Sequence, residues 1–379
     1  MAGQRKLRMG MVGGGPGAFI GPVHRIAAEL DGKIELVAGA FSQSAERSRA
    51  AGEMYKIDPA RAYPDYKAMI EAEKKREDAI DFVAIVTPNH LHKPVAVAAL
   101  EAGFPVMSDK PATATYAEAV ELDKAVAKSG LPYGLTHTYA GYSMVREMRQ
   151  MCASGELGKI RKIAVEYLQG WLSNPIETSG QKQASWRSDP AQSGAGGCIG
   201  DIGTHAFHLS EYVTGLKVVA VNASLLSVVP GRKLDDDCTA LLRMDNGAQN
   251  VLMTSQIAAG ERNDMRLRVY GEKGSIEWHQ EDPNRLSVKW LDAPEEIRHA
   301  SGGYLSEDAR AVTRLPGGHP EGYLEAFAVL YREFADTLIG WKQKSVLPPT
   351  LPGIESGVRG MRFIDRAVES SKKQSWVEF

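Results

Sequence analysis

The 379-residue chain carries 45 Lys and Arg against 47 Asp and Glu, a formal net charge of −2. That balance excludes a nucleic-acid binder, which needs a basic excess to neutralise phosphates. The length exceeds what one compact core serves and predicts two domains, and 43% hydrophobic with 24% charged residues are globular values.

No apolar run approaches the roughly 20 residues that span a bilayer. The basic N-terminus is followed by an apolar stretch too short and glycine-broken for a signal sequence. Cys152, Cys198 and Cys238 lie far apart without a C-x-x-C pair, which fits a reducing compartment better than a disulfide framework or zinc site. The expected location is cytoplasmic.

Up to about residue 137, short apolar runs (7–13, 34–41, 81–87, 104–109, 131–136) alternate with helical patterns near 18–30, 44–55, 65–76, 92–102 and 115–129. Gly103 is the expected stop of the fourth helix. Strands alternating with helices of this length predict an α/β domain, a Rossmann doubly wound parallel sheet covered on both faces. From about 159 the strand candidates follow one another, from "KIRKIAVEYLQGWL" to "LSVKWL". They predict an α+β domain with a large open, mostly antiparallel sheet. "MDNGAQ" (244–249) reads as a two-residue hairpin at Asn246-Gly247. A glycine-rich helix over 201–215 interrupts the series, and helices near 322–340 and 353–372 close the chain. The expected division is 1–137 and 138–379, with the last helix packing back on the first domain. An open sheet is often covered by self-association, which predicts a homodimer or homotetramer.

The first chemical signal is Gly13-Gly14-Gly15-Pro16-Gly17-Ala18, a G-x-G-x-x-A turn between a strand and a helix that opens with Phe19 and Ile20. The first glycine permits the turn, the second admits a pyrophosphate, and the small third residue lets the helix pack on the sheet. The alternative is a tight turn without a ligand. At the end of the second strand Ser42 and Gln43 stand where an acid would hold the ribose of NAD. Arg47 beyond them either meets a 2′-phosphate or lies solvated, which leaves NAD and NADP both open. Thr87, Pro88 and Asn89 leave a strand at the sheet edge where ligands bind, with His92 in the next helix; the plain alternative for Asn89 is a helix cap. Asp109-Lys110-Pro111 ends the following strand on that same edge, where Lys110 either points into a cleft or is an ordinary surface lysine.

In "GGCIGDIGTHAFH", Asp201 opens a helix and His205 falls four residues on, on one helical face. Such a pair takes a proton from a hydroxyl while the same carbon is oxidised; a capping Asp and a buried core His are the alternative. A metal reading of Asp201, His205 and His208 is disfavoured by the offset of His208.

Lys110 within D-K-P and the G-G-x-x-x-D-x-G-x-H stretch resemble the Gfo/Idh/MocA oxidoreductases, over nearly the whole chain. Asp109 departs from the glutamate usual there. The resemblance implies Lys110, Asp201 and His205 as the catalytic set, with His205 moving the proton, Asp201 orienting it and Lys110 stabilising a developing alkoxide. It implies hydride transfer between a sugar or cyclitol carbon and a nicotinamide.

The expected cofactor contacts are Gly13, Gly15, Pro16, Gly17, Ala18, Phe19, Ile20, Ser42, Gln43, Arg47, Thr87, Pro88, Asn89, His92, Asp109, Lys110, His137, Trp186 and Arg187. The expected substrate contacts are Lys110, Tyr139, Trp186, Arg187, Asp201, His205 and His319, with Glu321 beside the last; Trp171 reads as core. The two motifs look most like members acting on the C3 hydroxyl of pyranosides and anhydrosugars, which are generally NAD-dependent, and so favour NAD(H) over NADP(H). The competing functions are a glycoside hydrolase that retains NAD and oxidises C3 transiently, and a non-enzymatic sugar or NADP sensor. A sensor has no need of the lysine and the Asp–His pair.

Overall fold

The computed structural model describes residues 5–179, 181–187, 189–342 and 351–379. Over these, five apolar runs form β1 (Leu7–Gly13), β2 (Ile34–Ala40), β3 (Phe82–Val86), β4 (Val106–Ser108) and β5 (Tyr133–Leu135). All pair in parallel, in the order β2-β1-β3-β4-β5. Helices cover both faces, so a central strand has no solvent side to pattern, and every residue of β3 is buried. The chain steps from β2 across β1 to β3, which makes the carboxyl ends of β1 and β3 the switch point of the sheet.

The connecting helices are Ile20–Leu30, Ala45–Tyr55, Tyr66–Glu73, His92–Glu101 and Tyr116–Ser129. Their ends follow local chemistry. The Ser44, Asp65 and Thr115 side chains accept from backbone N–H groups of the first turns, and Thr115 with Glu118 forms a capping box. Gly103 and Gly130 take left-handed conformations just past their helices. The third helix stops three residues short of the expected 76. Its last residue, Glu73, is turned inward to accept from Nε of Arg61 at 3.0 Å and from Tyr63 at 2.9 Å.

The second sheet contains β6 (Lys162–Leu168), β7 (Val218–Leu226), β8 (Asp237–Met244), β9 (Gln249–Ser255), β10 (Asp264–Tyr270), β11 (Gly274–His279), β12 (Arg285–Trp290), β13 (Glu296–His299) and β14 (Val377–Glu378). Its order is β13-β12-β11-β10-β6-β9-β8-β7-β14. Every pair is antiparallel except β6 with β9. Helices Ser143–Ala153 and Thr204–Thr214 pack on one face, so β8 alternates buried and exposed residues. The short strands β13 and β14 carry no clear pattern and were not expected. The hairpin between β8 and β9 is where it was expected, but its loop has three residues, Asp245, Asn246 and Gly247. Met244 N–H donates to Ala248 O, only Gly247 has a positive φ, and Ala248 N–H donates to the Asn246 side chain. That side-chain contact replaces the left-handed Asn a two-residue turn requires.

The chain divides into two compact units, Met1–His137 with Phe327–Val358, and Thr138–Ala326 with Arg359–Phe379. The first residues of the last helix pack on the parallel-sheet unit, with Ile354 against its core, and so does helix Tyr323–Lys342. Its Phe334 ring meets Phe82 edge-on at 5.1 Å, and its Tyr331 hydroxyl reaches Nδ1 of His24 at 2.7 Å. Helix Ile354–Lys373 gives only its first residues to that unit. Beyond them its Phe363 stacks on Phe207 at 4.5 Å and Ser370 accepts from Ala223 of β7. No described helix is long and apolar enough to cross a membrane.

Candidate active site

In the first unit the glycine turn leaves β1 at the switch point. Gly13, Gly14 and Gly17 have φ near +95°, +78° and +77°, values a Cβ strongly disfavours. Tyr55 braces the turn by donating to Gly14 O at 2.6 Å. The helix behind it has no side-chain cap, which leaves its first N–H groups for an anion, and this fits the pyrophosphate of a dinucleotide. The helix also approaches the turn closely at Gly21, where a Cβ would meet the Gly14 Cα at 2.4 Å. Phe19 is largely exposed and Ile20 half-buried. Past β2, Ser42 is half-buried while Gln43 and Arg47 are exposed; the Arg47 guanidinium donates to Pro16 O at 3.4 Å.

Next along the sheet edge, Thr87 and Pro88 lead into a 3-10 turn that begins with the buried Asn89. Asn89 does not cap helix His92–Glu101, whose preceding residue is Leu91. His92 is buried, with Nδ1 2.6 Å from Pro111 O and Nε2 2.8 Å from Thr87 O. It therefore ties the loop after β3 to the loop after β4 instead of facing a cleft. Burial keeps it below the usual imidazole range, outweighing Asp109 and the two carbonyls.

Asp109 Oδ1 accepts from Lys110 N–H at 2.8 Å and from Thr136 Oγ1 at 2.9 Å, and Oδ2 lies 3.8 Å from Nε2 of His24. Lys110 follows it, ahead of a cis peptide to Pro111. His137, buried, ends the first segment of the unit. Sequence reasoning missed His24, Tyr55 and Tyr331, none of which stands in a motif.

In the second unit His205 is buried and meets the Tyr139 ring edge-on at 4.9 Å, with Tyr167 at 6.2 Å. Tyr139 and Tyr167 hydroxyls share a 2.5 Å hydrogen bond. Tyr167 donates to Asn263 Oδ1 at 2.8 Å, and Asn263 Nδ2 reaches Tyr139 at 3.4 Å. Gln169 joins Asn263 at 2.6 Å and accepts from the half-buried Trp171 indole at 3.0 Å. Burial pushes both phenols well above their ordinary values, so they act as neutral hydrogen-bonding groups.

Asp201 does not open the helix. It lies inside a π-helical turn, Ile199–Gly203, and the α-helix begins at Thr204. The wider π turn breaks the 3.6-residue period, so a shared α-helical face is not the basis of the Asp201–His205 pairing. Asp201 Oδ2 instead accepts from Arg187 Nε at 3.1 Å and Gln256 Nε2 at 2.9 Å. The Arg187 guanidinium stacks over Trp186 at 4.2 Å.

His208 faces elsewhere, stacked on Tyr212 at 5.5 Å and pushed down to about 3 by burial, then by Lys217 and Arg149. Among the described residues no three His, Cys, Asp or Glu side chains are grouped to hold a metal. His319 is exposed, its Nδ1 3.1 Å from Pro316 O in its own loop, and Glu321 closes that loop by accepting from Leu315 N–H at 2.8 Å. Gln256, Asn263, Tyr167 and Gln169 were not singled out from the sequence.

The parallel unit and its glycine turn define a dinucleotide-binding oxidoreductase fold. Residues 7–137 match the family model "Oxidoreductase family, NAD-binding Rossmann fold", and residues 145–277 match "GFO/IDH/MocA C-terminal domain". The chain belongs to the Gfo/Idh/MocA oxidoreductase family. It is 35% identical to the uncharacterized oxidoreductase YfiI of Bacillus subtilis, over 99% of this chain and 97% of that one. It is 26% identical to levoglucosan dehydrogenase of Pseudarthrobacter phenanthrenivorans, over 99% and 98%. A crystal structure of an inositol dehydrogenase homolog from Azotobacter vinelandii complexed with NAD+ superposes with a TM-score of 0.95 at 36% identity, covering 99% of this chain and 98% of that one. The protein is thus an NAD-binding oxidoreductase related to sugar and inositol dehydrogenases.

Proposed function

We propose that this enzyme is an NAD(P)-dependent dehydrogenase that oxidises a secondary ring hydroxyl, C3 in a pyranose, of a pyranose, glycoside, anhydrosugar or inositol. The observation that carries the reading is His205 beside Tyr139 and Tyr167, with the Asp201 carboxylate fixed by Arg187 and Gln256 on the turn just before it. The names of its relatives, a levoglucosan dehydrogenase and an inositol dehydrogenase homolog, agree with that substrate class.

Bound at the glycine turn, the nicotinamide dinucleotide supplies the two-electron acceptor. His205 takes the hydroxyl proton as the carbon is oxidised, Asp201 orients the imidazole and the substrate, and Lys110 stabilises the developing alkoxide. The linked polar groups Tyr139, Tyr167, Asn263 and Gln169 offer directional partners for further hydroxyls. NAD is the preferred cofactor in this reading. The chain assembles as a homodimer or homotetramer through the open face of the large sheet, where Leu241, Val251 and Ala164 stand in register; a monomer in light scattering would contradict that.

The test offers NAD or NADP together with myo-inositol, levoglucosan and a panel of glycosides, and follows reduced nicotinamide alongside released sugar. Steady NADH formation with at least one of them is expected. Sugar release without it would make the enzyme an NAD-retaining hydrolase instead.

A further inference from the structure

The loop 227–236 between β7 and β8 ends in two adjacent acids, Asp235 and Asp236, that no motif includes. Asp235 spreads over three consecutive peptide groups. Its Oδ1 accepts from Gly197 N–H at 2.7 Å, its Oδ2 from Ile199 N–H at 2.7 Å, and its backbone carbonyl from Cys198 N–H at 2.8 Å. The seat is tight, since a Cβ on Gly197 would come within 2.2 Å of the Asp235 carbonyl. Ile199 is the first residue of the π turn that holds Asp201, and His205 follows in the helix continuing from it. Bonds from a carboxylate to amide N–H groups are charge-assisted and stronger than neutral ones.

The neighbouring acid reaches the same place by another path. The Asp236 carboxylate accepts from Val228 N–H, Val229 N–H and Arg232, at 2.8, 2.9 and 3.1 Å, which fixes the loop. Its backbone carbonyl accepts from Gln256 N–H at 2.9 Å. The Gln256 side chain then donates to Asp201 Oδ2 at 2.9 Å. One arm thus holds the backbone of the turn and the other holds the carboxylate that the turn presents.

We propose that Asp235, and Gln256 held through Asp236, are positioning residues: a two-armed brace that fixes Asp201 and His205 in register for proton transfer. Neither touches substrate in this assignment; both act through the turn. A misplacement of about 1 Å in such a constellation costs on the order of a hundredfold in rate. The inference rests on the dehydrogenase reading for its chemistry, but the brace itself is measurable without a substrate.

The test compares the full-length wild type with Asp235→Asn and Gln256→Met. Asp235→Asn keeps the shape but sets an amide N–H₂ against a peptide N–H. Hydrogen exchange at pH 8 is expected to quicken at least tenfold in peptides covering 197–203 and to stay within twofold over β10–β12. With NAD and a sugar of the panel that the wild type oxidises, kcat per NAD site is expected to fall at least tenfold, with KM for the sugar within threefold. Gln256→Met is expected to lower kcat at least fivefold at unchanged KM and to leave exchange over 197–203 within twofold. Exchange in Asp235→Asn within twofold of wild type over 197–203 overturns the brace, and so does a kcat of Gln256→Met within twofold. If Asp235→Asn does not fold, Gln256→Met decides alone. If no sugar of the panel is oxidised, the dehydrogenase reading falls while the exchange measurement still decides the brace.

Discussion

Nε2 of His24 lies 3.8 Å from Oδ2 of Asp109, the residue before Lys110. His24 is fully buried, and its other ring nitrogen is engaged by the Tyr331 hydroxyl. Burial pushes the Asp109 carboxyl up, but the His24 ring, then Lys110 and His92, outweigh it and leave the group well below its ordinary value. A value lowered on folding contributes stability that is present above the ordinary carboxylate pKa and is lost as pH falls toward the folded one. Asp109→Asn is therefore expected to lower the unfolding midpoint at pH 7 by several degrees, from ~1–3 kcal/mol for a buried charged hydrogen bond. The difference from wild type should shrink below about pH 4. A difference that stays constant from pH 7 to pH 3 in thermal unfolding contradicts this account.

The two catalytic roles assigned to the second unit separate from cofactor binding. His205→Gln removes the proposed proton acceptor, and general-base losses run to about 10²–10⁴ in kcat. Asp201→Asn keeps the shape of an acceptor for Arg187 and Gln256 but loses the charge, and a smaller loss, about tenfold to a hundredfold, is expected. The dissociation constant for NAD, read by quenching of intrinsic fluorescence, should stay within threefold in both variants, because the glycine turn belongs to the first unit. A His205→Gln enzyme with wild-type kcat removes His205 from the mechanism.

The parallel sheet was legible because burial on both faces leaves its strands no choice but continuous apolar sequence, as in "FVAIV" over Phe82–Val86. Lys110, Asp201 and His205 could be singled out in the sequence because each sits in a motif, and the roles given to them are part of the proposed function. Their supports were not legible. Asp235 reaches Gly197 across 38 positions and Gln256 reaches Asp201 across 55, long-range contacts invisible to local periodicity. The π turn at Ile199–Gly203 was misread because a motif spacing of four residues suggests one α-helical face, and the sequence does not show where a wider turn replaces the α-helix. His319 stands in an exposed loop, where its ring lies against Pro316 O, a local contact that the sequence does not show. The parallel unit's borrowed helix, Tyr323–Lys342, was legible as a helix, but which sheet its apolar face covers depends on the fold.

The pH dependence of Asp235 runs opposite to that of Asp109. Burial, opposed by the peptide N–H groups of Ile199 and Gly197, pushes its carboxyl up to about 6. A value raised on folding contributes stability that is full below the ordinary carboxylate pKa and is lost as pH rises through the folded one. The unfolding midpoint of wild type relative to Asp235→Asn should therefore decline between about pH 4 and pH 6 and then level off. The change is at most on the order of 3 kcal/mol, at 1.36 kcal/mol per pKa unit. A relative midpoint that rises with pH over that interval would show that the amide contacts outweigh burial.

The end of β2 is where the proposed function places the choice of nucleotide. Ser42 is half-buried there, and no carboxylate stands at 42 or 43 to accept from the ribose hydroxyls. The Arg47 guanidinium donates to Pro16 O of the glycine turn at 3.4 Å. With no acid at 42 or 43 to repel a 2′-phosphate and with Arg47 exposed, discrimination is expected to be weak, with NAD ahead of NADP by less than about tenfold. Ser42→Asp introduces an acceptor for the 2′-hydroxyl and a like charge against the phosphate, and should widen that ratio to over about a hundredfold, roughly 3 kcal/mol. Arg47→Ala should weaken NADP more than NAD. Calorimetric titration of both nucleotides against the three proteins measures these ratios, and a Ser42→Asp variant that still binds NADP within tenfold of NAD places the adenosine ribose away from β2.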